Sequence, residues 1–124
     1  MYDYDIVCIG GGPGGSACAM RSADRGKKVA IIEARLKNGS GGTCVNRGCI
    51  PTKALMASTN LYASLKEAKA YGINIDMSAV TVDFKAIDNR RKGVINNLGF
   101  GLETLLWKKS RGIDVIKGRA RLVD

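Results

Sequence analysis

An α/β fold built on a parallel sheet is what the start of this chain predicts, and three observations predict it. Asp5-Ile6-Val7-Cys8-Ile9 is a continuous apolar run, the pattern of a parallel strand buried on both faces. It leads straight into a glycine-rich turn, Gly10-Gly11-Gly12-Pro13-Gly14-Gly15, and then into a helical stretch rich in small residues over positions 16–25, stopped by Gly26. Val29-Ala30-Ile31-Ile32 is a second apolar strand, closed by the acid Glu33.

The turn carries Gly10-x-Gly12-x-x-Gly15, and each glycine has a physical task. Gly10 permits the tight turn, Gly12 lets the backbone approach a pyrophosphate, and Gly15 lets the helix pack close to the strand. The free amides of the helix N-terminus then face the phosphates, and Glu33 can accept hydrogen bonds from a ribose diol. A lone glycine motif is a weak signal, but here strand, turn, helix, second strand and acid all stand at the required spacing. The expected architecture is therefore a Rossmann-like parallel sheet with a dinucleotide site at Gly10, Gly12, Pro13, Gly14, Gly15 and Glu33. A turn that binds nothing is the competing reading. Cys8 and Cys18 read as small core residues.

Beyond Glu33 the residues at 34–40 are polar and read as a flexible link. A helix is expected from about Pro51 to Tyr71, with Leu55, Leu61, Tyr62, Leu65 and Ala68 on one side, Gly72 as its stop and Lys53 in its first turn. A lysine is disfavoured at a helix N-terminus by the dipole, which argues for a task at Lys53. After a connector at 72–82, Asp83 is an expected N-cap for a helix with an apolar stripe at Phe84, Ile87, Val94, Leu98, Leu102 and Leu105. Gly93, Gly99 and Gly101 predict a kink or break near Gly99. Trp107 reads as packing, and Lys108, Lys109 and Arg111 suit the last turn, with Gly112 after it. Ile113-Asp114-Val115-Ile116 is a third strand expected to run on through 117–123. Three strands make an incomplete sheet whose edges need cover. No repeat or low-complexity linker divides the chain, so residues 1–124 read as one domain.

Apolar residues make up 45% of the 124, enough for a core. No apolar run approaches the ~18 residues of a membrane span, and a strand that begins by Tyr4 leaves no room for a signal peptide, so a cytoplasmic protein is expected. The net charge of +9 invites a nucleic-acid partner. Its cations are scattered, however (Arg21, Lys28, Arg35, Arg90, Lys108, Arg119 among them), with no interleaved aromatics, and read as a solvated face partly serving an anionic cofactor.

Chemistry concentrates in Gly41-Gly42-Thr43-Cys44-Val45-Asn46-Arg47-Gly48-Cys49-Ile50-Pro51-Thr52-Lys53, two cysteines five positions apart in a chain without histidine. On a regular helix five residues turn through about 500°, leaving the two side chains roughly 140° apart and unable to bond. Pairing therefore requires residues 44–48 to be loosened or distorted. So small a ring gains only about 2 kcal/mol of chain entropy, which makes the pair a poor staple. Near a helix start, beside Arg47 and Lys53, a thiolate is expected to have a lowered pKa and to exchange readily. Cys44 and Cys49 thus read as a redox-active dithiol. Inert buried thiols and a metal site are the competing readings; the cysteines lack the paired close spacings of a four-ligand zinc site, and no metal is expected.

Taken together, the glycine motif, Glu33 and the segment from Gly41 to Lys53 resemble the N-terminal part of the pyridine nucleotide-disulfide oxidoreductases, a likeness running from Tyr4 to about Val123. Ile50-Pro51-Thr52-Lys53 leans toward the dihydrolipoamide dehydrogenases, while glutathione and mercuric reductases share the cysteine spacing. The resemblance implies FAD rather than NAD at the glycine motif, with NAD as co-substrate of the whole enzyme. It implies Glu33 at the adenosine ribose, Gly42 and Thr43 at the pyrophosphate, Lys53 near flavin N5, Gly118 with Ala120 toward the adenine end, and Ala34 among the cofactor-binding residues. It makes Cys44 the interchange thiol and places Cys49 against the isoalloxazine. The implied partners are a lipoamide-type disulfide or lipoyl-bearing protein and a second subunit in a homodimer. The family's histidine-glutamate acid-base pair has no counterpart in a chain without histidine, so this chain alone is expected to be inactive. A non-catalytic nucleotide-binding or redox-sensing module is the alternative.

Overall fold

A computed structural model describes residues 2–35, 40–106 and 112–123. Strands β1 (Ile6–Ile9), β2 (Val29–Glu33) and β3 (Ile113–Lys117) form one parallel sheet in the order β1-β2-β3. Ile6 pairs with Val29, and Val29 with Ile113, so the three apolar runs lie in register. The uninterrupted run of β2 suits a central strand, and its Val29, Ala30 and Ile31 are fully buried.

Helix α1 (Pro13–Ala23) covers one face of this sheet, where Ala19 joins Cys8, Val29, Ile31 and Ile113 in the core. It starts three residues earlier than the sequence predicts. Pro13 takes the first helical position, where its fixed φ and missing N–H cost nothing. Gly26, at φ 75°, ends the turn after the helix.

Two strand expectations are corrected. β1 is not buried on both faces: Cys8 faces the core, whereas Val7 and Ile9 are 49% and 61% exposed. Successive side chains alternate between faces, and at this edge strand the face away from α1 is open, whereas on the central strand Ala30 is fully buried there too. β3 stops at Lys117 instead of continuing through 118–123, because Lys117 pairs with Glu33, the last residue of β2, and the ladder has no further partner there.

The other helices are α2 (Gly42–Asn46), α3 (Cys49–Glu67) and α4 (Phe84–Leu106). α3 begins at Cys49, two residues before the expected start, so Lys53 lies in its second turn. It passes into a 3-10 turn, Ala68–Tyr71, capped by Gly72 at φ 78°. Asp83 caps α4 as expected, its Oδ1 accepting from the Ala86 N–H at 2.9 Å. α4 then runs through Gly93, Gly99 and Gly101 without the break expected near Gly99. A helical glycine costs only about 1 kcal/mol, and packing along α3 and α2 holds the helix together. Leu102 reaches the sheet core, while Phe84 and Leu98 on the expected stripe are exposed. α3 and α4 are antiparallel: Tyr62 and Leu65 share a groove with Ala86 and Ile87, and the Arg90 guanidinium donates to the Ala54 carbonyl at 3.0 Å. Gly112 has a left-handed φ, 68°. The link at 36–39, Trp107 and the cations Lys108, Lys109 and Arg111 lie outside the described residues.

Candidate nucleotide and dithiol site

β1 delivers the chain into a turn folded tightly on itself. Gly10 has φ 96°, and a Cβ on Gly15 would collide with the Gly10 carbonyl oxygen, so α1 can approach β1 only with glycine there. Gly12 meets Gly42 across the same space: a Cβ on Gly42 would stand 3.0 Å from the Gly12 Cα. The buried Ser16 hydroxyl donates to the Gly11 carbonyl at 2.8 Å and ties the turn to the helix. Glu33 closes it from the other side, Oε2 accepting from the Gly11 N–H at 2.6 Å and Oε1 from the Arg35 N–H at 2.8 Å. A carboxylate offers about four acceptor positions, so both oxygens remain able to accept from a ribose diol. At the end of β3 the Gly118 N–H donates to the Glu33 carbonyl at 3.0 Å, which brings Gly118 to this corner; Ala120 is half-buried beyond it.

Next to the turn lies a cavity of about 540 Å³ lined by Glu33, Ala34, Arg35, Gly42, Thr43, Asn46, Arg47 and Ile95. Four of these residues, Glu33, Ala34, Gly42 and Thr43, are expected from the sequence, and Gly12 borders the space through Gly42. Pro13 and Gly14 are exposed on the first turn of α1. Lys53 is exposed on α3, its Nζ 3.9 Å from Met56 Sδ, and is not among the residues lining this cavity. Arg35, Asn46, Arg47 and Ile95 were not expected. The Asn46 amide donates to the carbonyls of Gly42 at 2.8 Å and Ser40 at 3.2 Å, and the Ser40 hydroxyl donates to Glu103 Oε1 at 2.5 Å, fastening the segment to α4. Asn46 and Arg47 sit inside the cysteine motif and could have been read from it; Ile95 carries no local signal.

Between the cysteines the helix is broken, as pairing requires. α2 ends at Asn46, Arg47 and Gly48 leave helical geometry, and α3 restarts at Cys49. The N–H groups of Arg47 and Gly48 both donate to the Thr43 carbonyl at 2.8 Å, which folds the break compactly. Cys44 is half-buried and Cys49 exposed, and both are free thiols. A hydrogen bond with Cys49, then burial, push the Cys44 thiol above its ordinary pKa. This direction runs against the lowered pKa expected beside Arg47 and Lys53, because its largest cause is the other thiol and not a cation. Among the described residues no three side chains are grouped to hold a metal, and no helix is long and apolar enough to cross a membrane.

A glycine-locked turn on a parallel sheet, an acid at the end of the second strand and a dithiol across a broken helix define a class, and residues 4–124 match it: the chain belongs to the pyridine nucleotide-disulphide oxidoreductase family. It is 38% identical to a dihydrolipoyl dehydrogenase of Bacillus subtilis, over 98% of this chain and 24% of that protein. It is 41% identical to a dihydrolipoyl dehydrogenase of Chlamydia muridarum, over 98% of this chain and 24% of that protein. With a dihydrolipoyl dehydrogenase of Acholeplasma laidlawii the identity is 38%, over 94% of this chain and 33% of that protein. The chain spans about a quarter of the length of the first two.

Proposed function

We propose that this chain is the N-terminal FAD-binding part of a flavoprotein that oxidises dihydrolipoamide with NAD⁺. The observation that carries the reading is the helix broken between Cys44 and Cys49, which lets two thiols approach each other beside a cavity of about 540 Å³. The residues present suit a dinucleotide: the space between Gly12 and Gly42 is one that side chains would fill, and Glu33 retains acceptor capacity for a ribose. Bound FAD supplies a two-electron acceptor for the dithiol and a hydride donor to NAD⁺. In this reading Gly10, Gly12, Pro13, Gly14 and Gly15 hold the pyrophosphate with Gly42 and Thr43, Glu33 and Ala34 hold the ribose, Gly118 and Ala120 face the adenine end, and Lys53 lies near the flavin. The names of the relatives favour a lipoamide substrate over glutathione disulfide or mercuric ion.

The chain's own chemistry is thiol exchange. In the oxidised form a substrate thiolate attacks Cys44 Sγ, the Cys44–Cys49 bond breaks, and Cys49 leaves as thiolate. The second substrate thiol then attacks the substrate sulfur of the mixed disulfide and releases Cys44, leaving lipoamide and a dithiol. Each attack needs a base for the substrate proton, and a chain without histidine does not bring the usual one. The whole enzyme is accordingly proposed to supply the base from outside these residues, to act on lipoyl-bearing proteins and to work as a homodimer.

The test is steady-state turnover by the whole protein. NADH should form from dihydrolipoamide and NAD⁺, whereas reduction of glutathione disulfide by NADPH without that NADH would overturn the assignment. The 124-residue chain alone should give weak or no turnover. Robust NADH formation by it would contradict the need for an outside base.

A further inference from the structure

The helix that carries Cys44 is too short to hold its own shape. α2 spans five residues, Gly42–Asn46, and a helix of fewer than about 12 residues is marginal in water. A disulfide to Cys49 is exacting, since it requires Cα atoms about 4.4–6.8 Å apart and Cβ atoms that face each other. Cys49 opens the 19-residue α3, so the approach of the two thiols depends on what fixes α2.

A polar chain running to α4 fixes it. The Asn46 amide, at the end of α2, donates to the carbonyls of Gly42 at 2.8 Å and Ser40 at 3.2 Å, which clamps the segment on both sides of Cys44. Ser40 is only 4% exposed, and its hydroxyl donates to Glu103 Oε1 at 2.5 Å. A carboxylate acceptor places this bond among the strong ones. Glu103 lies one turn beyond Gly99 on α4, and the helix grips the segment along that turn. A Cβ on Gly99 would lie 3.9 Å from the Ser40 carbonyl oxygen, and one on Gly41 would lie 3.3 Å from Leu102 Cδ2. Asn46 and Glu103 both line a cavity of about 60 Å³, so packing between α2 and α4 is incomplete here and the hydrogen bonds matter more.

We propose that Glu103 is a positioning residue for the dithiol: acting through Ser40 and Asn46, it holds α2 where Cys44 can bond to Cys49. The inference rests on the thiol exchange proposed above and adds a control over it from a residue 63 positions beyond Ser40 in sequence. Holding α2 raises the effective concentration of one thiol at the other, and with it the equilibrium constant for closing the bridge. Without the clamp that ordering has to be supplied as the bridge forms, and the constant drops.

The test is the equilibrium of the 124-residue chain with glutathione. Cys44 and Cys49 give up two electrons and two protons, the bond between their sulfurs forms, and one glutathione disulfide becomes two glutathiones. Trypsin cuts after Arg47, so once free thiols are alkylated the peptides 38–47 and 48–53 stay joined only where the bridge is present. Ser40→Ala and Glu103→Leu should each lower the constant about tenfold, the worth of one hydrogen bond to a charged group. The double variant should fall no further than either, and Glu103→Gln, which keeps an acceptor oxygen, should recover most of the loss. Thr104→Ala removes an exposed hydroxyl bonded to the Phe100 carbonyl on the same helix and should leave the constant unchanged. An unchanged constant in Ser40→Ala, the mildest of the substitutions, overturns the proposal. So does a loss in Glu103→Gln as large as in Glu103→Leu, or an equal loss in Thr104→Ala. If the unsubstituted chain forms no bridge at any glutathione ratio, the thiol exchange itself is overturned and this inference with it.

Discussion

The two glycine-rich turns of this protein use the same residue to opposite ends. At 10–15 glycine allows contact: Gly15 carries no Cβ because the Gly10 carbonyl occupies its place, and strand, turn and helix lock together. At 41–48 glycine allows interruption: Gly48 leaves helical geometry and separates α2 from α3, so that side chains which a continuous helix would splay apart can touch. In the function proposed above, the first turn holds its shape around a ligand, and the second lets bonds between its side chains form and break. What distinguishes them is the surroundings, since one glycine is packed against backbone from a neighbouring element and the other only against its own short helix.

Substitutions can break or sharpen that contrast. Gly15→Ala should have the largest effect, a loss of about 1–3 kcal/mol as an overpacked contact is forced apart. Gly14→Ala next to it, with nothing within 4 Å of the new Cβ, should be neutral or stabilising by up to ~1 kcal/mol. Urea unfolding of the two variants measures both, and equal losses would mean that the lock is not steric. Gly48→Ala should change stability by less than ~1 kcal/mol while slowing oxidation of the Cys44–Cys49 pair severalfold, because it favours a continuous helix. Timed thiol titration under mild oxidant reads this, and an unchanged rate would show that the break does not depend on glycine.

Smaller effects follow from the titrating groups. Cys49→Ala removes the largest cause of the raised Cys44 pKa, so the midpoint of Cys44 alkylation against pH should move down. With the native pair, the raised pKa adds stability below the unfolded thiol's pKa that is lost as pH rises through the folded one. A midpoint unmoved in the variant would point to burial alone. Smallest is Asp88→Asn on α4, away from both turns. Asp88 is held below the usual carboxylate range by Lys92 and Arg91, each 2.6 Å away. Its contribution is present above the unfolded carboxyl's pKa and is lost as pH falls through the folded one, so the variant should slightly flatten the acid limb of stability in low salt.

Local signals carried the sheet and the nucleotide turn: the apolar runs at 5–9 and 29–32, the glycines and Glu33 all stand where short-range chemistry places them. The break between the cysteines was legible too, because helix geometry forbids their pairing otherwise. What stayed hidden depends on partners distant in sequence. Three glycines in α4 read as a break until α3 and α2 are seen beside it. β3 could not be ended from its own residues, since Glu33 on another strand ends it. The open face of β1 is invisible in a run that is apolar throughout, and the acidity of Cys44 follows a contact with Cys49 that sequence neighbours do not reveal. Ile95 joins the cavity only because α4 folds back past α2.

The pairing of Val29 with Ile113 has a further consequence, for the order of assembly. β1, α1 and β2 follow one another closely, and α3 with α4 forms a hairpin whose contacts span fewer residues than the β2–β3 pairing, so both units can form early. β3 must wait until the long intervening segment closes on itself, because loop-closure entropy is spent before any long-range bond is made. Docking of β3 is therefore the late step. Until it occurs β2 is an edge strand, and the Glu33 carbonyl lacks the Gly118 amide that it accepts from in the finished fold.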